Sequence, residues 1–337
     1  MSLNGIDAKR INDLFEIAVR QIWHVTGSGF QYDRLNHMQE ASEKAILYAL
    51  LANSGIAVAK SWGAWFTGSG SMLAEAIHSY ADAGNQILLF LGLRQGRKPP
   101  DEKHPMGYGK VSYFWAFIVA IMLFSMGGLF SIYEGIHKLQ APEPLEQLWV
   151  ALVILGLAIL LEGASLFGAL GEIRKLRQGR PFGYWLKNTR NAELIVVLGE
   201  DVAAEIGLVL AFIFVSLAGI TGDPRYDAIG SICIGVVLIV VSIFVAIRIK
   251  ALIVGQSAEP RLLAMIERII ERDPAIECLL NTITMQVGPK IMLAIKIKMH
   301  SGLSIDEAVA HINALERDLK AQVPSIGWCF VEPDVVD

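Results

Sequence analysis

Six apolar stretches, each 20 to 29 residues long, leave this chain few folds to choose from. They run from Ala45 to Phe66, Ser71 to Leu93, Tyr113 to Ile136, Leu148 to Leu170, Ala192 to Ile220 and Ala228 to Ile247. At about 1.5 Å per residue, a helix of any of these lengths crosses about 30 Å of hydrocarbon. Lipid offers no hydrogen bonds to the backbone, so spans of this length are expected as helices. Only 18% of the 337 residues are charged, against about 25% in an ordinary soluble domain. The sequence therefore predicts a membrane all-α six-helix bundle.

The connections orient it. Arg94, Arg97, Lys98, Lys103 and Lys110 follow the second stretch, and Arg174, Lys175, Arg177, Arg180, Lys187 and Arg190 follow the fourth. Arg248 and Lys250 follow the sixth, whereas the three opposite connections hold only Lys138 and Arg225. Basic loops stay on the cytoplasmic side, so both termini are expected there. The expected location is the inner (plasma) membrane of a bacterium.

Other classes lose ground on composition. A net charge of −4 gives nucleic acid no purchase. Cys233, Cys278 and Cys329 are scattered and suggest neither a disulfide framework nor a cysteine metal site. No nucleophile paired with a base and no phosphate-cradling glycine loop is visible, so no enzyme is expected. Residues 1–43 are polar and mixed, without a removable signal peptide. Ile11, Leu14, Phe15 and Ala18 there have helical spacing, as in an amphipathic surface helix.

Residues 251–337 change character after the membrane domain of residues 44–250. Glu259-Pro260 opens a helix. A short strand is expected near Ile283–Val287, and Leu293, Ile295, Ile297 and Met299 alternate with Ala294, Lys296, Lys298 and His300 as in a half-buried strand. Ser304 and Glu307 have the spacing of a capping box that starts a helix running to about Val323. A final strand runs from Trp328 to Glu332. The order is that of a small α+β domain.

Ionisable groups at membrane depth are expensive and point to function. Glu75, His78 and Asp82 lie in the second stretch; Glu193, Glu200, Asp201 and Glu205 lie in the fifth. His78 and Asp82, four apart, share a helix face. With Asp201 at similar depth, an imidazole and two carboxylates match the donors of a Zn²⁺ site. The alternative is that His78 and Asp82 only hydrogen-bond between helices.

Met72-Leu73-Ala74-Glu75-Ala76-Ile77-His78-Ser79-Tyr80-Ala81-Asp82, His104-Pro105-Met106-Gly107-Tyr108-Gly109-Lys110 and Val331-Glu332-Pro333-Asp334 together resemble the cation diffusion facilitators. The resemblance implies a six-helix bundle with a ferredoxin-like cytoplasmic domain, a homodimer, and exchange of metal for protons. It carries over His78, Asp82 and Asp201 as ligands. Where that family repeats its first ligand in span five this chain has Val197, and Glu200-Asp201 resembles the mitochondrial-type zinc-transporter branch. Glu200 is the first choice for the fourth ligand, with Glu205 or water as alternatives and a proton-carrying role for Glu200 as the competing reading.

The expected function is proton-coupled export of a divalent metal, Zn²⁺ first and Mn²⁺, Fe²⁺ or Co²⁺ next. The metal is substrate, and no prosthetic group is expected. Partners are the cation, protons and lipid. An ion channel, or a metal-binding scaffold or sensor without transport, are the competing classes. Glu162, Lys60, His104, His300 and His311 rank below the four ligands.

Overall fold

A computed structural model describes residues 70–141, 148–177 and 179–336, with isolated positions between 50 and 65. The first expected span and the N-terminal amphipathic segment lie outside the described residues, apart from those positions. The chain divides into two compact units, Ala49–Glu259 with Gln286–Pro289, and Pro260–Met285 with Lys290–Asp337.

The first unit is helical: α1 (Gly70–Gly96), α2 (Val111–Gln140), α3 (Leu148–Leu176), the short α4 (Phe182–Asn188), α5 (Ala192–Thr221) and α6 (Arg225–Val254). Among the described residues, α2, α3, α5 and α6 are long and apolar enough to cross a membrane. The second span is the more polar α1, which carries Asp82, Asn85 and Gln86 among its apolar residues. Asn191 begins α5 as an N-cap, its side chain accepting from the Leu194 amide. Gly222 ends that helix in the left-handed conformation, φ 71°.

Helix α2 is not uniform, because Leu123–Leu129 forms a π-helical turn between two α-helical halves. Its second half runs along α6 on glycine. A Cβ at Gly235 would lie 2.7 Å from the Gly128 carbonyl oxygen, and one at Gly135 would lie 2.7 Å from that of Ala228. Gly235 is thus a close-contact residue of this seam. Gly127 instead faces Leu238 at ordinary distance, and Ser131 turns its hydroxyl back on the Gly127 carbonyl. Gly235→Leu is expected to destabilise the bundle by about 3 kcal/mol, the upper end for overpacking. An unchanged melting temperature in detergent would mean that the helices do not meet here.

The core of this unit is apolar and fully enclosed, built from Leu89, Tyr113, Ala116, Val119, Ala192, Ile195, Val196, Val245 and Ile249. Near the basic connections, arginines close helix ends. Arg248 donates to the Leu186 and Thr189 carbonyls, and Arg190 to those of Asn188 and Ser257. The loop charges that orient the chain therefore also satisfy the orphan carbonyls of α4. At the far end Lys138 pairs with Asp227 at 3.2 Å, which neutralises one of the two cations there.

The second unit runs α7 (Pro260–Ile270), β1 (Ile276–Val287), β2 (Lys290–Met299), α8 (Ile305–Gln322) and β3 (Ile326–Pro333). The sheet order is β1-β2-β3, with β2 and β3 parallel across the α8 crossover. It is an α+β ferredoxin-like unit with three strands. Leu293, Ile295 and Ile297 point inward from β2 into a core with Ile266, Ile270, Leu315 and Leu319. The Ser304–Glu307 capping box starts α8 with both of its hydrogen bonds formed.

Candidate metal site

The site is assembled from three helices. Asp82 and Asn85 stand three residues apart on α1 and so share a face. Glu200 and Asp201 follow Gly199 on α5, where a Cβ at Gly199 would lie 2.7 Å from Val245 of α6. Gly199 thus lets α5 pack closely on α6, while Glu200 and Asp201 are turned to other faces of the helix. Glu162 comes from α3. Asp82, Glu162, Glu200 and Asp201 are all partly buried. Glu200 feels the charges of Asp82, Asp201 and Glu162, and Asp201 feels those of Glu162 and Asp82. Carboxylates within electrostatic reach of one another in a low-dielectric bundle repel unless protons or a cation neutralise them.

One hydrogen bond ties α1 to α5 directly. Asn85 Nδ2 donates to Glu200 Oε1 at 3.0 Å. Beside it, Asp82 and Asn85 line a small cavity with Met122 of α2 and Leu123, Met126 and Gly127 of its π-helical turn. The structure therefore places three of the four expected ligands near one another: Asp82, Glu200 and Asp201. The fourth, His78, lies on the α1 backbone one turn before Asp82, and its side chain is outside the described residues. Among the described residues, no three His, Cys, Asp or Glu side chains form a ready-made metal cluster.

Val197 packs against the apolar core, which accounts for a hydrocarbon at that position. Glu205 lies one turn beyond Asp201, 3.7 Å from the position of a Cβ on Gly163 of α3. Its Oε2 is buried without a hydrogen-bond partner. Glu162, a lone carboxylate in the sequence, belongs electrostatically to the same group. Asn85 was not expected from the sequence at all. The one available signal was an amide pair, Asn85-Gln86, inside an apolar run and three residues from Asp82.

His104, His300 and His311 have other surroundings. Asp101 accepts from the His104 backbone amide and from Tyr108 Oη, each at 2.7 Å. Those bonds, Tyr108 first, pull the Asp101 carboxyl below its ordinary value. His104 rests on the Tyr108 ring at 4.2 Å, so the 101–108 loop is folded on itself. His311 Nδ1 is 3.8 Å from Asp273, and no metal cluster forms around it or His300 among the described residues.

Residues 46–249 match the family described as the cation efflux transmembrane domain. The proton-coupled zinc antiporter SLC30A9, mitochondrial, of Xenopus laevis is 34% identical over 285 residues, 84% of this chain and 50% of that protein. Its Mus musculus counterpart is 36% identical over 239 residues, 70% of this chain and 42% of that protein. Metal tolerance protein C4 of Arabidopsis thaliana is 30% identical over 262 residues, 77% and 57% of the two chains. The chain thus spans about half the length of the curated relatives it matches. Among solved structures, the MamM C-terminal domain, residues 215–293, aligns over 22% of this chain and 95% of its own, with 16% identity and a TM-score of 0.22.

Proposed function

Because this chain belongs to the cation efflux family, we propose that it exchanges a divalent transition-metal cation for protons across its membrane, with Zn²⁺ as first substrate. The observation that supports this reading is that Asp82, Glu162, Glu200 and Asp201, from three helices of an apolar bundle, lie within electrostatic reach of one another. Such a group is held together only by a cation or by protons, and each excludes the other. Metal entering from one side displaces protons; protons entering from the other displace the metal. Alternation between the two accessible states needs a bundle that rocks around a fixed site.

His78, Asp82, Glu200 and Asp201 are the proposed ligands, with Glu162 and Glu205 as neighbouring proton acceptors. An imidazole among carboxylates favours Zn²⁺, and the excess of oxygen donors leaves Mn²⁺, Fe²⁺ and Co²⁺ as competitors. The name of the Xenopus relative supports zinc and proton coupling. The bias of basic residues supports a cytoplasmic side that holds both termini, with export from that side and a bacterial inner membrane as the proposed direction and location. The α+β unit is proposed to pair two copies; Phe330 on the edge strand β3 is 59% exposed, an apolar surface open to such pairing.

Purified protein in sealed vesicles tests the reading. An imposed proton gradient should drive saturable Zn²⁺ flux, and collapsing the gradient should stop it. Flux that does not saturate would indicate a channel. Zn²⁺ binding without any flux would indicate a scaffold or sensor.

A further inference from the structure

We infer that Asn85 is part of the metal site, its amide oxygen serving as a ligand from α1 while its amide nitrogen holds Glu200 in place. This rests on the transport reading above and extends its ligand set. Asn85 is only 3% exposed. Its Nδ2 donates to Glu200 Oε1 at 3.0 Å; an ionised Glu200, as in the cation-bound site, can only accept, which holds the amide in this orientation. The amide oxygen must then point away from Glu200. That oxygen is buried and has no hydrogen-bond partner.

An unpaired carbonyl in an apolar bundle is costly unless something electropositive meets it. Asn85 lines the cavity that Asp82 also lines, against Met122, Met126 and Gly127 of α2. Both methionines are poor hydrogen-bond partners, and Gly127 brings no side chain. A cation bound by Asp82 would sit on the face that Asn85 shares, and amide oxygens ligate divalent cations alongside carboxylates. Asn85 in this way adds a donor from α1 to the four proposed ligands. The same amide couples the helices, because drawing its oxygen onto a cation moves the group that holds Glu200.

The test uses the full chain in detergent, with Zn²⁺ binding by calorimetry and the visible absorption of bound Co²⁺. Asn85→Leu is expected to weaken Zn²⁺ binding at least about tenfold and to alter the Co²⁺ bands. Asn85→Asp keeps an oxygen but loses the N–H, and should retain Co²⁺ bands close to wild type. Wild-type Zn²⁺ affinity in Asn85→Leu overturns the inference. So does an Asn85→Asp protein whose bands change as in Asn85→Leu, since the amide would then act only through Glu200. Where Asn85→Leu fails to fold, the Asn85→Asp bands alone decide. Failure of the transport reading looks different: wild-type protein binds no Zn²⁺, or Asp82→Ala binds it normally.

Discussion

Asp201→Ala is expected to reduce proton-driven metal flux in vesicles by at least about 100-fold, with expression and elution volume unchanged. Asp82→Ala should do the same. An ion that leaves water for the middle of a bundle loses its hydration and recovers that loss only through its ligands. Removing one partner of a buried charge cluster costs about 3 kcal/mol or more, which is over two decades of affinity. The bundle itself should survive. Asp201 is only partly buried, and the enclosed core of Leu89, Tyr113, Ile195 and Val245 does not include it. Removing one carboxylate also relieves repulsion from Glu162 and Asp82, so the apo protein should melt no lower than wild type. Normal zinc flux in Asp201→Ala would remove the basis for the proposed site.

Glu200→Gln separates a ligand from a proton carrier. Glutamine retains an acceptor for Asn85 Nδ2, so the α1–α5 bond of 3.0 Å can persist. The variant loses the negative charge and little else. If the carboxylate coordinates metal, Zn²⁺ affinity should fall about 30-fold, or ~2 kcal/mol, at constant pH. That is the expected result. Unaltered affinity with a changed pH profile of transport would assign Glu200 to proton carriage and leave Asp201 as the α5 ligand.

Much of this could be read from residue order because it depends on local rules. The alternation from Leu293 to Met299 matches the inward–outward pattern of β2, and the Ser304–Glu307 box starts α8 where the spacing put it. Strand β1 is longer than expected, beginning at Ile276 rather than near Ile283. Its first half carries Glu277, exposed Cys278 and exposed Asn281, so no clean period of two marks it. The carboxylates of Asp82, Glu200 and Asp201 were legible because charge in an apolar run has few other uses. Their association with Glu162 was not, since helix order in a chain does not say which faces meet. Asn85 escaped for a related reason. An amide in a span is a common helix contact, and only three dimensions reveal that one end of this one is bonded and the other is bare.

The π-helical turn at Leu123–Leu129 has a consequence for how this sequence can change. A π turn holds roughly one residue more than an α turn, and one residue is about 100° of helix rotation. Deleting a single residue there, such as Ser125, would remove the extra residue and leave an α turn, with the two halves of the helix facing as they did before. Tyr113, Ala116 and Val119 would stay in the core and Gly135 would stay against α6. The same deletion in either α-helical half of α2 would instead rotate everything after it by about 100° and act as a simultaneous substitution of that whole stretch. Descendants of this gene should therefore tolerate the loss of one residue within Leu123–Leu129 better than anywhere else in α2.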